Sequence, residues 1–370
     1  MSNLTIAEYG GKTGLYSELK EDKDFKEYLP EGGVILMPGQ DPNSILDEII
    51  RAHGKSRKLI VRAGHRDDTT GLVDVLTTYP VNNVYGVSAA VKSIRLEAAS
   101  EAVTKYYGFE SGRQGVDLAD EISILVQPFI SGKFLVQMVA HPHVKDFYVI
   151  ERRYLDPSNF FSPVVAIVDN NLITQGVQGE KFGNDINVAN SQLVALYIKL
   201  RSKLQAIGAF GQDDSLHLEI GERKAGKAQT IKHTLFQVRR LKSYEQSGDF
   251  EVAYPNCVPY LSFGVTLSSG INVILTDIRN LQNQSPVNTG FSIGYFYEGS
   301  SAINVRPDIS IMPSQMSVYV AQNASASPLD HGHLAYMQRA PISVVYRGDL
   351  IEGKYILVAN GINACLTKIR

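Results

Sequence analysis

A change of hydrophobic pattern near residue 240 most constrains how this chain can fold. Before it, short apolar runs alternate with helical stripes; beyond it, nearly every apolar run has the length and β-branched content of a strand. In the first part, Val34–Met37, Lys58–Arg62, Ile122–Gln127, Phe134–Val139 and Phe147–Glu151 read as strands. Asp41–His53 reads as a helix: Asp41-Pro42-Asn43-Ser44 supplies a start signal, and Ile45, Ile49 and Ile50 form one stripe. Val87–Tyr107 reads as a second helix with Ala90, Ile94, Ala98 and Val103 inward. Asn190–Ile207 reads as a third, with Leu193, Leu196, Leu200 and Leu204 aligned. Strands Ser215–Gly221 and Thr234–Val238 follow, and the polar stretch Glu222–Lys227 reads as the turn between them.

Leu241–Phe250 is polar with little periodicity and reads as part of a linker over 241–255. Beyond it, strands are expected over Gly270–Thr276, Phe291–Phe296, Met316–Val320, Ile342–Tyr346 and Tyr355–Val358, with one short helix at His333–Arg339. An α/β region followed by a strand-rich domain is therefore expected: 1–240, divided at about residue 120 into subdomains 1–120 and 121–240, then 256–370.

Composition narrows the classes of function. The chain has 370 residues, 44% of them apolar, enough for two cores. Its 36 basic and 38 acidic residues leave a formal charge of −2 with no long run of one sign, which favours neither nucleic acid nor an anionic membrane as partner. The start MSNLTIAEYGG lacks the basic and apolar regions of a signal peptide, and no apolar run is long enough to span a bilayer. Cys257 and Cys365 lie far apart without metal-type spacing. Reduced thiols and a cytoplasmic location are the expectation.

Five segments carry residues suited to phosphate chemistry. Gly10-Gly11-Lys12, followed by Leu15 and Leu19, offers a backbone that a phosphate can approach closely and a compact positive charge; it also reads as a surface turn. Arg62, in Val61-Arg62-Ala63-Gly64 with Asp67-Asp68 beyond, can grip phosphate oxygens in bidentate fashion or pair with those aspartates. Leu125-Val126-Gln127-Pro128 is a strand leading into a proline, or an ordinary core strand. Leu218-Glu219-Ile220 and Phe236-Gln237-Val238-Arg239 place an acid on one strand and an amide and a cation on the next. Glu219 and Gln237 are oxygen ligands suited to magnesium, and the same residues would make a cross-strand Glu–Arg pair. Asp330-His331-Gly332-His333, with Arg339 six residues after His333, puts an imidazole at the start of a short helix, where it is either a nucleophile or a cap. The pairs His141/His143 and His331/His333 have the spacing of a metal pair on a strand, with no fixed third ligand evident.

In this order the segments resemble the phosphoenolpyruvate synthase and pyruvate phosphate dikinase family, which includes rifampin phosphotransferase. The resemblance is patchy but covers most of the chain. It implies an ATP-grasp nucleotide-binding unit of two subdomains followed by a swivelling phosphohistidine domain. It further implies ATP held by Lys12, Arg62, Gln127, Glu219, Gln237 and Arg239, with Gln127 on the strand that meets adenine and magnesium on Glu219 and Gln237. His333 is implied as the phosphorylated residue, with His331 and Arg339 assisting. AMP and phosphate would be the products, and the phosphoryl acceptor is a small molecule or another protein. Departures are visible. Ala63-Gly64 stands for two serines, His217 for an aspartate, and His331 and Gly332 for a threonine and a serine. Arg152-Arg153-Tyr154 replaces a glycine-rich loop, and no phosphoenolpyruvate-binding barrel follows the histidine domain. An ATP-dependent phosphotransferase is thus expected. Two other readings stay open: a degenerate non-catalytic module binding a nucleotide or a partner, and a metal-dependent enzyme using the histidine pairs.

Overall fold

The computed structural model describes residues 5–67, 76–101, 103–104, 118–130, 132, 134–140, 146–154, 164–171, 174–178, 185–225, 230–242, 260–264, 267–277, 292–297, 316–321, 343–346, 351–360 and 363–369. Contacts group the chain into two compact units. The first comprises Met1–Lys133, Leu204–Gly211 and Leu218–Arg240; the second comprises Phe134–Lys203, Gln212–His217 and Leu241–Arg370. The architecture is mixed α/β with antiparallel sheets.

The first unit opens with α1 (Ile6–Tyr9). Thr5 caps it: its hydroxyl accepts from the Glu8 N–H at 3.3 Å while Glu8 reaches back to the Thr5 N–H. A five-residue π turn, Gly10–Gly14, follows and runs into α2 (Leu15–Leu19); the Leu15 N–H donates to the Gly10 carbonyl, five residues back. Next come β1 (Val34–Leu36), a 3-10 turn at Pro42–Ile45 capped by Asp41, and α3 (Leu46–His53), which Gly54 ends at φ 73°. Strands β2 (Leu59–Gly64) and β3 (Tyr79–Val81) precede α4 (Gly86–Ala98), α5 (Leu118–Glu121) and β4 (Ser123–Pro128). The strands form an antiparallel sheet in the order β1-β4-β2-β3. Pro80 is on edge strand β3, where a missing N–H costs no ladder bond.

This sheet has two different faces, because residues directly opposite one another share a face. Val34 and Leu36 of β1, Leu59, Val61 and Ala63 of β2, and Ile124 and Val126 of β4 join one core. Ile45 and Ile49 belong to it, as do Val87, Ala90, Val91, Ile94 and Ala98 of α4. The helical stripes expected over Asp41–His53 and Val87–Tyr107 therefore face that core, with Ile50 packed at its margin; residues 105–107 lie outside the described residues. The other face carries Arg62 opposite Leu125, Gly64 opposite Ser123 and Ile60 opposite Gln127. The Gly10–Gly14 turn packs on β2 and β4.

In the second unit, β5 (Phe134–Ala140), β6 (Phe147–Tyr154), β7 (Val164–Asp169) and β8 (Thr174–Gln178) make an antiparallel meander. Helix α6 spans Asp185–Ala206 and buries Leu193, Leu196, Leu200 and Leu204. Arg152, fully buried, donates from Nη1 to Asn190 Oδ1 of this helix at 2.7 Å. The hairpin strands are β9 (Asp214–Ala225) and β10 (Thr230–Lys242), which belong mainly to the first unit through Leu218–Arg240. Two expectations need correction. Glu222 is not in a turn: it lies within β9 and pairs with His233 of β10 at 3.0 Å, both buried, so a polar cross-strand pair sustains the ladder. Leu241 and Lys242, taken as linker, continue β10, while 243–259 lie outside the described residues.

The remaining strands are β11 (Tyr260–Gly264), β12 (Leu267–Asp277), β13 (Ser292–Tyr297), β14 (Met316–Ala321), β15 (Ser343–Tyr346), β16 (Gly353–Asn360) and β17 (Asn363–Lys368). They close into a barrel in the order β11-β15-β14-β13-β12-β16-β17, leaving no open edge. Pairs β12/β13, β13/β14 and β14/β15 are parallel, so each needs a crossover connection. Cys365 on β17 is buried and disulfide-bonded, which overturns the expectation of a reduced thiol there. Cys257 lies outside the described residues. No helix among the described residues is long and apolar enough to cross a membrane.

Tyr197 of α6 accepts the Leu216 N–H at 2.8 Å in a buried setting. Tyr197→Phe leaves that N–H without its acceptor and is expected to lower the unfolding free energy by about 1–3 kcal/mol in a urea titration. Tyr148, edge-on to Tyr197 with ring centroids 5.1 Å apart, has its phenol pushed by burial from 10.0 to about 12. The folded state holds this proton more tightly than the unfolded chain. Stability is therefore expected to fall as pH rises from 10 toward about 12. Tyr148→Phe should flatten that slope in denaturation measured across this range.

Candidate functional site

Lys12, Arg62, Gln127, Glu219, Gln237 and Arg239 all lie in the first unit. Arg62, near the end of β2, donates from Nη1 to the Phe236 carbonyl of β10 at 2.8 Å and from Nη2 to Gln237 Oε1 at 3.4 Å. Its guanidinium carbon lies 5.9 Å from the Phe236 ring centroid. Arg239, two residues beyond Gln237 and so on the same side of β10, donates from Nη2 to the same Gln237 oxygen at 3.1 Å. It also donates from Nη1 to Glu219 Oε1 of β9 at 2.7 Å. The other Glu219 oxygen is 4.0 Å from Arg62 Nη2. One carboxylate and one amide oxygen thus link two guanidiniums whose like charges would otherwise repel. The cross-strand Glu–Arg pair read as an alternative in the sequence is formed, and it is part of this larger cluster.

The turn that carries Lys12 docks beside these strands through glycine. A Cβ on Gly11 would collide with the Val238 carbonyl, and Val238 lies between Gln237 and Arg239. A Cβ on Gly64 would collide with Thr13 Oγ1, and Gly64 lies two residues beyond Arg62 on the same sheet face. The backbone at Lys12 is therefore bracketed between β10 and β2, with Lys12 only 8% exposed. Only residues without side chains allow so close a docking of one backbone on another. Two guanidiniums, those of Arg62 and Arg239, share the Glu219 carboxylate. Guanidiniums so placed suit an anion with several oxygens.

Gln127 is buried on the β4 face that also carries Leu125 opposite Arg62. Beside the cluster, His65 is 2% exposed, with Nε2 3.0 Å from Glu121 Oε2 and Nδ1 accepting from the Asp67 N–H at 3.2 Å. These contacts tie the end of β2 to the start of β4. Among the described residues no group of three or more His, Cys, Asp or Glu has metal-site geometry. Glu219 and Gln237 nevertheless form a hard-oxygen pair of the kind magnesium takes when phosphate oxygens and water complete its shell.

The structure thus gathers Arg62, Glu219, Gln237 and Arg239, docks the Lys12 turn on their strands, and puts Gln127 on the same sheet face as Arg62. His331, His333 and Arg339 fall in residues 322–342, the connection between parallel β14 and β15, and lie outside the described residues, as do His141 and His143. Sequence reading missed Thr13, Ser123 and the Phe236 carbonyl. Ser123 donates to the Gly64 carbonyl at 3.0 Å. The available signal was the pairing of a glycine at 64 with a hydroxyl after Lys12, which no local pattern connects.

No family model matches the chain, and no curated protein matches it. Among solved structures, the D-alanine–D-alanine ligase of Coxiella burnetii is similar over 62% of this chain and 50% of its own, at 11% identity and a TM-score of 0.28. The D-alanine–D-alanine ligase of Helicobacter pylori is similar over 63% and 57%, at 14% identity and a TM-score of 0.32. The ATP citrate lyase of Methanosaeta concilii is similar over 60% and 47%, at 14% identity and a TM-score of 0.35. The chain therefore spans about half the length of these proteins, and the likeness is too slight to assign a family.

Gly11→Ala tests the docking. The added methyl meets the Val238 carbonyl, so the turn must leave β10. A loss of about 1–3 kcal/mol is expected in urea unfolding followed by circular dichroism. An unchanged midpoint would show that the turn does not rest there.

Proposed function

We propose that the first unit is an ATP-grasp-like domain that binds Mg-ATP, and that the chain is an ATP-dependent phosphotransferase acting through His333. The observation that carries this reading is the convergence of Arg62, Arg239, Glu219 and Gln237 with the Lys12 turn docked on their strands. Two guanidiniums drawn from distant segments around one carboxylate and one amide oxygen, with a lysine-bearing turn docked on their strands, fit a metal-bound polyphosphate. Arg62 and Arg239 grip phosphate oxygens, and Lys12 adds a point charge. Gln127, near the end of β4, meets the base. Glu219 and Gln237 would hold magnesium, whose chemistry is to draw charge from the phosphate oxygens as the anhydride breaks.

In the transfer, an imidazole nitrogen of His333 forms a bond to phosphorus as the phosphoanhydride P–O bond breaks. The leaving oxygen keeps the electron pair, which the guanidiniums stabilise. Phosphohistidine then passes its phosphoryl group to an acceptor hydroxyl on a small molecule or another protein, whose proton is released. His331 and Arg339 assist at that segment. The domains are 1–240, with subdomains 1–120 and 121–240, and 256–370, joined through 241–255. A swivel of the second would carry His333 between ATP and acceptor.

A second reading is a non-catalytic module that binds a nucleotide or a partner. It is favoured by the arginine contacts already made by Glu219 and Gln237. Arg239→Ala and Glu219→Ala should each leave a folded chain with Mg-ATP affinity reduced by about tenfold or more in titration calorimetry. Incubation with labelled ATP should give an acid-labile, base-stable label that His333→Ala abolishes and His331→Ala only weakens. ATP binding without label in the wild type would select the non-catalytic module. Unchanged binding in both cluster variants would remove the nucleotide site altogether.

A further inference from the structure

Thr13 has no exposed surface, and its hydroxyl has no hydrogen-bond partner among the described residues. A buried hydroxyl left without a partner is costly, and folded chains leave few of them. Its surroundings show what could complete it. The hydroxyl fills the place a side chain at position 64 would take, since a Cβ on Gly64 would collide with it. Gly64 and Arg62 are two residues apart on β2, so hydroxyl and guanidinium are on one sheet face. Lys12 is the preceding residue. The nearby Ser123 hydroxyl is already committed to the Gly64 carbonyl at 3.0 Å. Thr13 is therefore an uncommitted donor beside groups that gather oxygens.

We propose that Thr13 is a further nucleotide contact, its hydroxyl donating to a phosphate oxygen, and that Gly64 is the positioning residue that makes room for it. The proposal rests on the reading of this cluster as a Mg-ATP site. Lys12 and Arg62 are each only 8% exposed and Arg239 is 3% exposed. Thr13 is buried with them, on the sheet face that carries Arg62. Gly64 thus removes a side chain where Thr13 supplies a hydroxyl, and the two positions act as one.

The test uses the full chain with Thr13→Val, Thr13→Ser, Gly64→Ser and the double variant Thr13→Ala/Gly64→Ser. Valine keeps the shape and removes the unpaired hydroxyl. Thr13→Val is therefore expected to melt at the same temperature as wild type or higher, yet to bind Mg-ATP about tenfold more weakly. Adenosine, which lacks phosphate, should bind it as it binds wild type, and Thr13→Ser should keep most of the Mg-ATP affinity. A purely structural threonine gives the opposite pattern: a lower melting temperature with unchanged Mg-ATP binding, which overturns the proposal. Gly64→Ser should lose Mg-ATP affinity, and the double variant should recover it, because the serine hydroxyl then stands in the vacated space. Failure of that recovery overturns the role given to Gly64. Absence of Mg-ATP binding in the wild type sinks the cluster reading and this contact together. Normal binding in Thr13→Val sinks this contact alone.

Discussion

Glu219 and Gln237 hold together what the chain keeps far apart. Arg62 comes from the four-stranded sheet and Arg239 from the hairpin, and each would repel the other in a poorly hydrated setting. The Glu219 carboxylate is 2.7 Å from one guanidinium and 4.0 Å from the other, and the Gln237 oxygen accepts from both. These bonds and the bond from Arg62 to the Phe236 carbonyl join β10 to β2. With that junction made, the Gly10–Gly14 turn has two backbones to rest on, and its position follows.

The turn shows how composition at a few positions becomes geometry. Gly11 and Gly64 lack side chains where the turn meets Val238 and where Thr13 meets β2. The α1 cap at Thr5 and the run of α2 into the buried Leu15 and Leu19 anchor the two ends of the turn. The turn therefore carries Lys12 on a rigid support. A site held to within fractions of an ångström depends on such support more than on the identity of the charged groups.

The two faces of the first sheet divide the labour. One face, with Leu59, Val61, Ala63, Ile124 and Val126, gives stability through apolar burial under α3 and α4. The other carries Arg62, Ser123 and Gln127, polar groups whose burial is costly unless they are bonded. Burying them is reasonable where they act together, and this is the face against which the Gly10–Gly14 turn docks.

Much of this was legible in the sequence. The stripes through Ile45 and Ile49, and through Ala90, Ile94 and Ala98, determine helices with one buried face, because 3.6-residue periodicity is a local property. The strand-rich pattern after residue 240 likewise determines β structure, and Arg62, Glu219, Gln237 and Arg239 were recognisable as a set by residue type and order. Other features depended on neighbours distant in the chain. Glu222 looked like a turn residue until His233 lay across from it. Cys365 looked like a free thiol, yet it is disulfide-bonded within the barrel. Closure of seven strands, three of whose pairings are parallel, leaves no periodic trace. The meeting of Thr13 with Gly64 is the clearest case, since a hydroxyl and a missing side chain so far apart in sequence become one feature only when the turn lies on the strand. Sequence by itself determined local periodicity and the supply of charges. Tertiary structure decided which charges share a carboxylate and which hydroxyl stays uncommitted, because those depend on distances between segments that no local pattern encodes.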